Sequence, residues 1–282
     1  MPIYLQPKNL EEAVAALADQ PLTIIAGGTD YYPARVGQPL DDDLLDISRI
    51  AGLGGIEETD DHFRIGATAT WTDLIDTPLP GWFEGLKLAA REVGGVQIQN
   101  AGTIAGNICN ASPAADGVPP LLAMNAELEL NSIRGTRPIT LEKFIISNRE
   151  TRCGRDEIVT AIRIPKPANP ASSIFLKLGA RKYLVISIVM VAAIIEQGPD
   201  NRVAAAQIAV GSCATVAKRL RLLERALVGQ PMSGNLGALV PPDYLSILRP
   251  ITDVRATADY RSDAAVTLVA RALSQLGARH DG

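Results

Sequence analysis

Apolar residues recur at helical spacing through Leu10, Ala13, Val14 and Leu17, with Asn9 placed to cap them, so the pattern predicts a helix over residues 9–20. Short apolar runs at 22–25 and 44–47 read as strands. Their alternation with the helix predicts a small α/β lobe. A strand is expected at 63–66, then a helix near 72–75 that Thr70 or Thr72 would cap, and a further helix over 84–94. Pro119 and Pro120 open another helix, since proline is tolerated in a first turn. Residues 127–130 alternate Glu and Leu with period two and read as a strand, and 158–164 form another that Pro165 ends.

Pro165, Pro167 and Pro170 crowd into six residues that suit neither helix nor central strand. They place a boundary between an N-terminal domain, 1–170, and a C-terminal domain, 171–282. Beyond it, apolar strands are expected at 184–196 and 203–211, joined by the turn Gly198-Pro199-Asp200-Asn201. Helical patterns follow at 217–228, after Asn235, and at 264–276. The second domain therefore reads as a small antiparallel sheet packed by about three helices.

Composition narrows the function. With 282 residues, 47% of them hydrophobic, two ordinary domains can each bury a core. The net charge of −4 comes without any basic stripe interleaved with aromatics, which argues against nucleic-acid binding. The longest apolar run, 184–195, is too short to cross a bilayer, so no membrane insertion is expected. The N-terminus shows no basic segment followed by an apolar one, and a cytoplasmic location is expected. Cys109, Cys153 and Cys213 are too scattered to hold an iron–sulfur cluster, and His62 and His280 too few for a zinc site. Cys109 reads as a small packing residue.

The richest chemistry lies between Asn100 and Asp116, where small residues, amides and hydroxyls replace any helical stripe. Small side chains let the backbone approach a bulky anion, and exposed N–H and hydroxyl groups can hold phosphate oxygens. A second glycine turn, Ala26-Gly27-Gly28-Thr29-Asp30, follows the apolar run at 22–25. Two such loops suggest a ligand with two phosphates. Amides around Gly27, Gly28 and Thr29 could take one face, and Thr103, Gly106 and Asn107 the other. Asp30 would be repelled by phosphate, so it is expected to accept from the loop backbone. Each feature also has a plainer reading: a tight turn for Gly27-Gly28, and a helix cap for Asp116.

On these residues the chain resembles the FAD-binding medium subunits of the molybdenum hydroxylases, the group that includes xanthine dehydrogenase and carbon monoxide dehydrogenase. The first loop fits the family form AGGTD, and Asn100 to Asp116 fits its second form, RNxGTIGGNIxxASPxAD. Ile65-Gly66-Ala67-Thr68, Asp156-Glu157-Ile158-Val159, Lys177-Leu178-Gly179-Ala180-Arg181-Lys182 and the tail from Tyr260 also match, in order. Two departures stand out: Ala105-Gly106 replaces Gly-Gly, and Gln99 replaces an arginine. Alanine disfavours positive φ, so position 105 has either an ordinary backbone or a shifted loop.

The resemblance implies an α+β fold: a two-lobed, vanillyl-alcohol-oxidase-like (PCMH-type) FAD-binding domain, then the small sheet domain. It implies FAD contacts from the first loop at Ile25, Ala26, Gly27, Gly28, Thr29, Asp30 and Tyr31, and at Ala67 and Thr68. From the second loop it implies contacts at Asn100, Gly102, Thr103, Ile104, Gly106, Asn107, Ala111, Ser112 and Asp116. Asp116 would reach ribityl or ribose hydroxyls. Lys182 would place charge near the flavin ring, unless it is a solvated surface lysine. Ile186 would face the ring, unless it is a core strand residue. Tyr183 could contact ring or adenine, or simply pack.

The implied activity is redox relay, with no catalytic acid, base or nucleophile on this chain. Electrons would come from [2Fe–2S] clusters on a small subunit, beside a large molybdopterin-binding subunit, and leave to an external acceptor. A dimer of heterotrimers is expected. The complex would hydroxylate an aromatic N-heterocycle, purine or aldehyde, or oxidise CO. Two alternatives stay open: a self-sufficient vanillyl-alcohol-oxidase-type flavoenzyme, and an assembly module without cofactor.

Overall fold

A computed structural model describes residues 2–182 and 184–279; Tyr183 and His280 lie outside the described residues. The chain divides into two compact units, one of residues 1–77, 95–111 and 126–165, the other of residues 78–94, 112–125 and 166–282.

The first unit holds three sheets, the smallest of them the hairpin Ile145–Ser147 and Glu150–Thr151. Thr23–Ile25 and Tyr4–Leu5 flank Leu44–Asp46 in a three-stranded parallel sheet. The helix Leu10–Asp19 buries Ala13, Val14 and Leu17 in a cluster with Leu45, Ile47, Ile50 and Leu53. Asn9 caps it as expected, its side chain accepting from Glu12 N. The second sheet is antiparallel, in the order Ile56–Glu58, His62–Gly66, Ile158–Pro165, Glu127–Ser132, Gly135–Thr140. Its centre is Ile158–Pro165, buried at nearly every position, which explains a run without alternation. Gly135–Thr140 is an exposed edge strand carrying Pro138, and its low hydrophobicity hid it from the sequence pattern. Trp71–Asp76 is helical, with Thr70 and Asp73 forming a reciprocal capping box.

The second loop is more helical than its composition predicts. Val96–Ala101 and Ile104–Cys109 are short helices, and Thr103 caps the latter by accepting from Gly106 N at 3.0 Å. Ile104, Ala105 and Ile108 form its buried face, a stripe too brief for periodicity to reveal. Ala105 has no positive φ, so its backbone is ordinary.

The second unit is built on an antiparallel sheet in the order Ala171–Leu178, Val189–Gln197, Val203–Gly211, Lys218–Arg219. Glu84–Glu92, Val118–Ala123, Arg221–Leu227 and the long helix Ala258–Ala278 pack with it. The region after Asn235 forms 3-10 turns, Gly234–Leu239 and Pro242–Leu245, because Pro241 and Pro242 stop a regular helix. The long helix begins earlier than expected, where Thr257 caps it by accepting from Tyr260 N. The strand expected from 184 starts only at Val189, since Leu184 has φ +51° and stands exposed.

A buried ion pair fastens this sheet to its neighbours. Arg219 Nε and Nη2 donate to Glu224 Oε1 and Oε2 at 2.5 and 2.9 Å, and Nη1 reaches Leu122 O and Asn125 Oδ1, both at 2.8 Å. Glu224 Oε1 also accepts from Ile208 N. Removing one partner strands a buried charge, so Arg219→Ala is expected to lose about 3–5 kcal/mol of stability, read from the urea midpoint of the purified chain. An unchanged midpoint would show the pair to be dispensable.

Candidate functional site

In the first unit, the two glycine loops meet. A Cβ on Gly27 would lie 1.8 Å from the Ala101 carbonyl oxygen, so only glycine fits there. A Cβ on Gly102 would lie 2.8 Å from Ile98 O and 3.1 Å from Thr29 Oγ1. Gly28 adopts φ +65°, and a side chain there would run into the Tyr32 ring. Downstream, Tyr32 N closes a helical turn on Gly28 O at 3.2 Å.

That turn leaves a run of main-chain donors open. The amides of Gly27, Gly28, Thr29, Asp30 and Tyr31 have no hydrogen-bond partner among the described residues. Residues 26–29 are half-buried and Asp30 is exposed. Consecutive N–H groups around a left-handed glycine make a concavity suited to an anion. Asp30 itself accepts from Arg149 Nη1 at 2.6 Å, where loop amides were the expected donors. Tyr31 is engaged by its neighbours: its hydroxyl donates to Asp42 Oδ2 at 2.9 Å, and Arg35 sits 3.8 Å over its ring.

The second loop behaves differently. Gly106 N donates to Thr103 Oγ1, Asn107 N to Thr103 O, Ile104 N to Ala69 O and Gly102 N to Ile98 O. Its main chain is therefore largely self-satisfied, and its contribution is shape together with side chains. Asn107 Oδ1 is buried without a partner. Asn100 Oδ1 accepts from Thr72 Oγ1 at 2.6 Å. Ile25 and Ile104 are core residues beside the loops, while Ala67 N donates to Thr160 O and Thr68 N to Leu53 O. Ala111 closes the loop with φ +49° and accepts from Arg149 N at 3.0 Å. Cys109 is exposed at the end of its helix, contrary to the packing role expected for it.

In the second unit, Ser112 Oγ accepts from Ala114 N. Asp116 is buried, with Lys177 Nζ on Oδ2 and Ser187 Oγ on Oδ1, each at 2.7 Å. It does not cap the following helix, whose cap position is Gly117. Burial pushes the Asp116 carboxyl above the usual carboxylate range, against the opposing pull of Lys177 and Ser187. Ile186 is 64% exposed and outside any strand, which removes its reading as a core strand residue. Lys182 is exposed.

Sequence reasoning passed over Lys177 and Arg149. Lys177 lies on the same strand face as the buried Ser173 and Phe175, and a lysine at an inward position calls for a carboxylate. Seeing it required recognising the strand Ala171–Leu178. Arg149 sits at a hairpin tip, and its partner is 119 positions away, so no local signal marks it.

Close-packed glycine loops and a row of open amides in an α+β chain make a concavity suited to an anion. The comparisons make the class specific. Residues 1–167 match the family described as FAD binding domain in molybdopterin dehydrogenase, and residues 174–276 match the CO dehydrogenase flavoprotein C-terminal domain. The chain belongs to this family of flavoprotein subunits, and it is the FAD-binding part of an oxidoreductase. It is 28% identical over 281 residues to the nicotine 6-hydroxylase medium subunit of Paenarthrobacter nicotinovorans, covering 98% of this chain and 97% of that one. To the nicotinate dehydrogenase FAD-subunit of Eubacterium barkeri it is 37% identical over 196 residues, 66% of each. A solved carbon monoxide dehydrogenase from Hydrogenophaga pseudoflava superposes with a TM-score of 0.88 at 29% identity, over 98% of this chain and 96% of that one.

The residues present fit FAD, because the open amides around the left-handed Gly28 match a diphosphate. A left-handed valine costs roughly 1–2 kcal/mol. Gly28→Val is therefore expected to weaken FAD retention about tenfold or more, measured as acid-released flavin per chain. Wild-type flavin content in that variant would remove the first loop from the site.

Proposed function

We propose that this chain is the electron-relay subunit of a three-chain molybdenum hydroxylase. It accepts electrons from [2Fe–2S] clusters on a small subunit and passes them to an external acceptor, while a large molybdopterin-binding subunit oxidises the substrate. FAD, when bound, supplies the two-electron redox chemistry. The chain's own residues bind and orient it. The open amides from Gly27 to Tyr31 hold the diphosphate, and this is the observation that carries the reading. Thr103 and Asn107 line the facing loop; Asp116, engaged within its own unit by Lys177 and Ser187, keeps the sugar-hydroxyl role that the resemblance implies. Lys182 and the exposed Ile186 keep the ring-side roles that the resemblance implies.

The proposal of partner chains is supported by the relatives, which are named as an FAD-subunit and a medium subunit. A dimer of heterotrimers in the cytoplasm is part of the proposal; no helix among the described residues is long and apolar enough to cross a membrane. The proposal keeps a flavin-binding domain at 1–170 and a C-terminal domain at 171–282, although residues 78–94 and 112–125 fold with the second compact unit. Two of the relatives named above carry nicotine and nicotinate in their names and the solved structure carries carbon monoxide; an aromatic N-heterocycle is proposed on the first two.

The test is anaerobic mixing of N-heterocycles with the flavin-loaded chain, alone and in complex with its co-expressed partners. Bleaching of the flavin absorbance near 450 nm is expected only in the complex, to which the chain brings no substrate oxidation of its own. Bleaching of the isolated chain by a small substrate would establish a self-sufficient flavoenzyme instead.

A further inference from the structure

Asp30 presents a problem for the proposed site. Its amide belongs to the open run, yet its carboxylate puts negative charge beside the place assigned to a diphosphate. In the structure the carboxylate is not left alone. Arg149 Nη1 donates to Asp30 Oδ2 at 2.6 Å and also to Asn110 Oδ1. Arg149 N donates to Ala111 O. One residue thus ties the first loop to the end of the second.

The backbone shows that this placement is held against local preference. Arg149 has φ +62° and Ala111 φ +49°, and left-handed backbone is uncommon for residues other than glycine. Such conformations persist only where the surroundings enforce them, and they cluster at ligand sites. Stability alone does not account for the arrangement. The Arg149 and Asp30 side chains are 54% and 51% exposed, and exposed ion pairs add little to folding.

We propose that Arg149 is a positioning residue for the coenzyme: it shields the Asp30 charge from the diphosphate and latches the two loops together. The inference rests on the flavin reading of the first loop. Asp30 then serves as the anchor for the guanidinium, and the pair leaves the open amides facing a locally neutral surface. Removing the arginine alone exposes a carboxylate to two phosphate charges. Removing both charges restores neutrality while leaving the latch broken.

Charge shielding and mechanical latching therefore separate in a double-variant comparison. FAD dissociation constants of the 282-residue chain would be measured by fluorescence titration for wild type, Arg149→Met, Asp30→Asn and the double variant. Arg149→Met is expected to weaken binding about tenfold at low salt, with the loss shrinking toward about 0.5 M salt. Asp30→Asn is expected to tighten binding at low salt, since the guanidinium then faces the diphosphate without its carboxylate. The double variant is expected to fall between wild type and Arg149→Met, free of the bare carboxylate but with the latch broken. A double variant as weak as Arg149→Met overturns the shield. Gly28→Val in the same series separates the two levels of inference. If Gly28→Val loses FAD and Arg149→Met does not, the loop reading stands and this proposal falls. If neither variant loses FAD, both fall.

Discussion

The site depends on one steric contact, the Gly27 backbone against the Ala101 carbonyl. Residues 74 positions apart can come this close only where no Cβ intervenes. The contact brings the exit of the strand Thr23–Ile25 to the last turn of Val96–Ala101. Everything else in the loop pair follows from that approach. Gly102 stays small because Thr29 stands beside it, and Gly28 turns left-handed so that the chain can begin its helical turn at Thr29.

The second unit solves a different problem, that of charges kept from water. Lys177, Asp116 and Ser187 form one linked group, and Arg255 Nη1 continues it by donating to Ser187 O at 2.9 Å. Asp253 accepts from both Arg255 and Arg261, which hold its carboxyl well below the usual carboxylate range. Arg261, completely buried, also donates to Ile188 O and Ser212 O. The backbone that directly follows the exposed Ile186, at Ser187 and Ile188, is thus fixed by hydrogen bonds from the C-terminal segment. An exposed apolar side chain beside a held backbone suits the ring-facing role proposed for Ile186.

Much of this was legible in the sequence because it rests on local chemistry. Asn9, Thr70 and the prolines between 165 and 170 act within a few residues of themselves, and the glycine turn after 22–25 marks a position where a side chain is forbidden. What stayed hidden depends on distant partners or short periods. The helix Ile104–Cys109 has under two turns, too few for an apolar stripe to repeat. Ala171–Leu178 opens with Ala-Ser-Ser, and its inward lysine breaks the alternation that marks a half-buried strand. The role of Asp116 turned on Lys177 and Ser187, 61 and 71 residues away, and no cap rule could find them.

The two loops differ in whether their amides are already bonded, and this accounts for the alanine at position 105. Where amides must point at a ligand around a left-handed residue, as at Gly28, a methyl group is excluded. In the second loop the amides of Gly102, Ile104, Gly106 and Asn107 are already bonded within the protein, and position 105 is helical and buried. A methyl there adds apolar contact and helix propensity and removes no donor already engaged elsewhere. The family's second glycine is thus replaceable in a loop that closes as a capped helix. The first loop, whose open amides carry the binding proposed for it, has no such freedom.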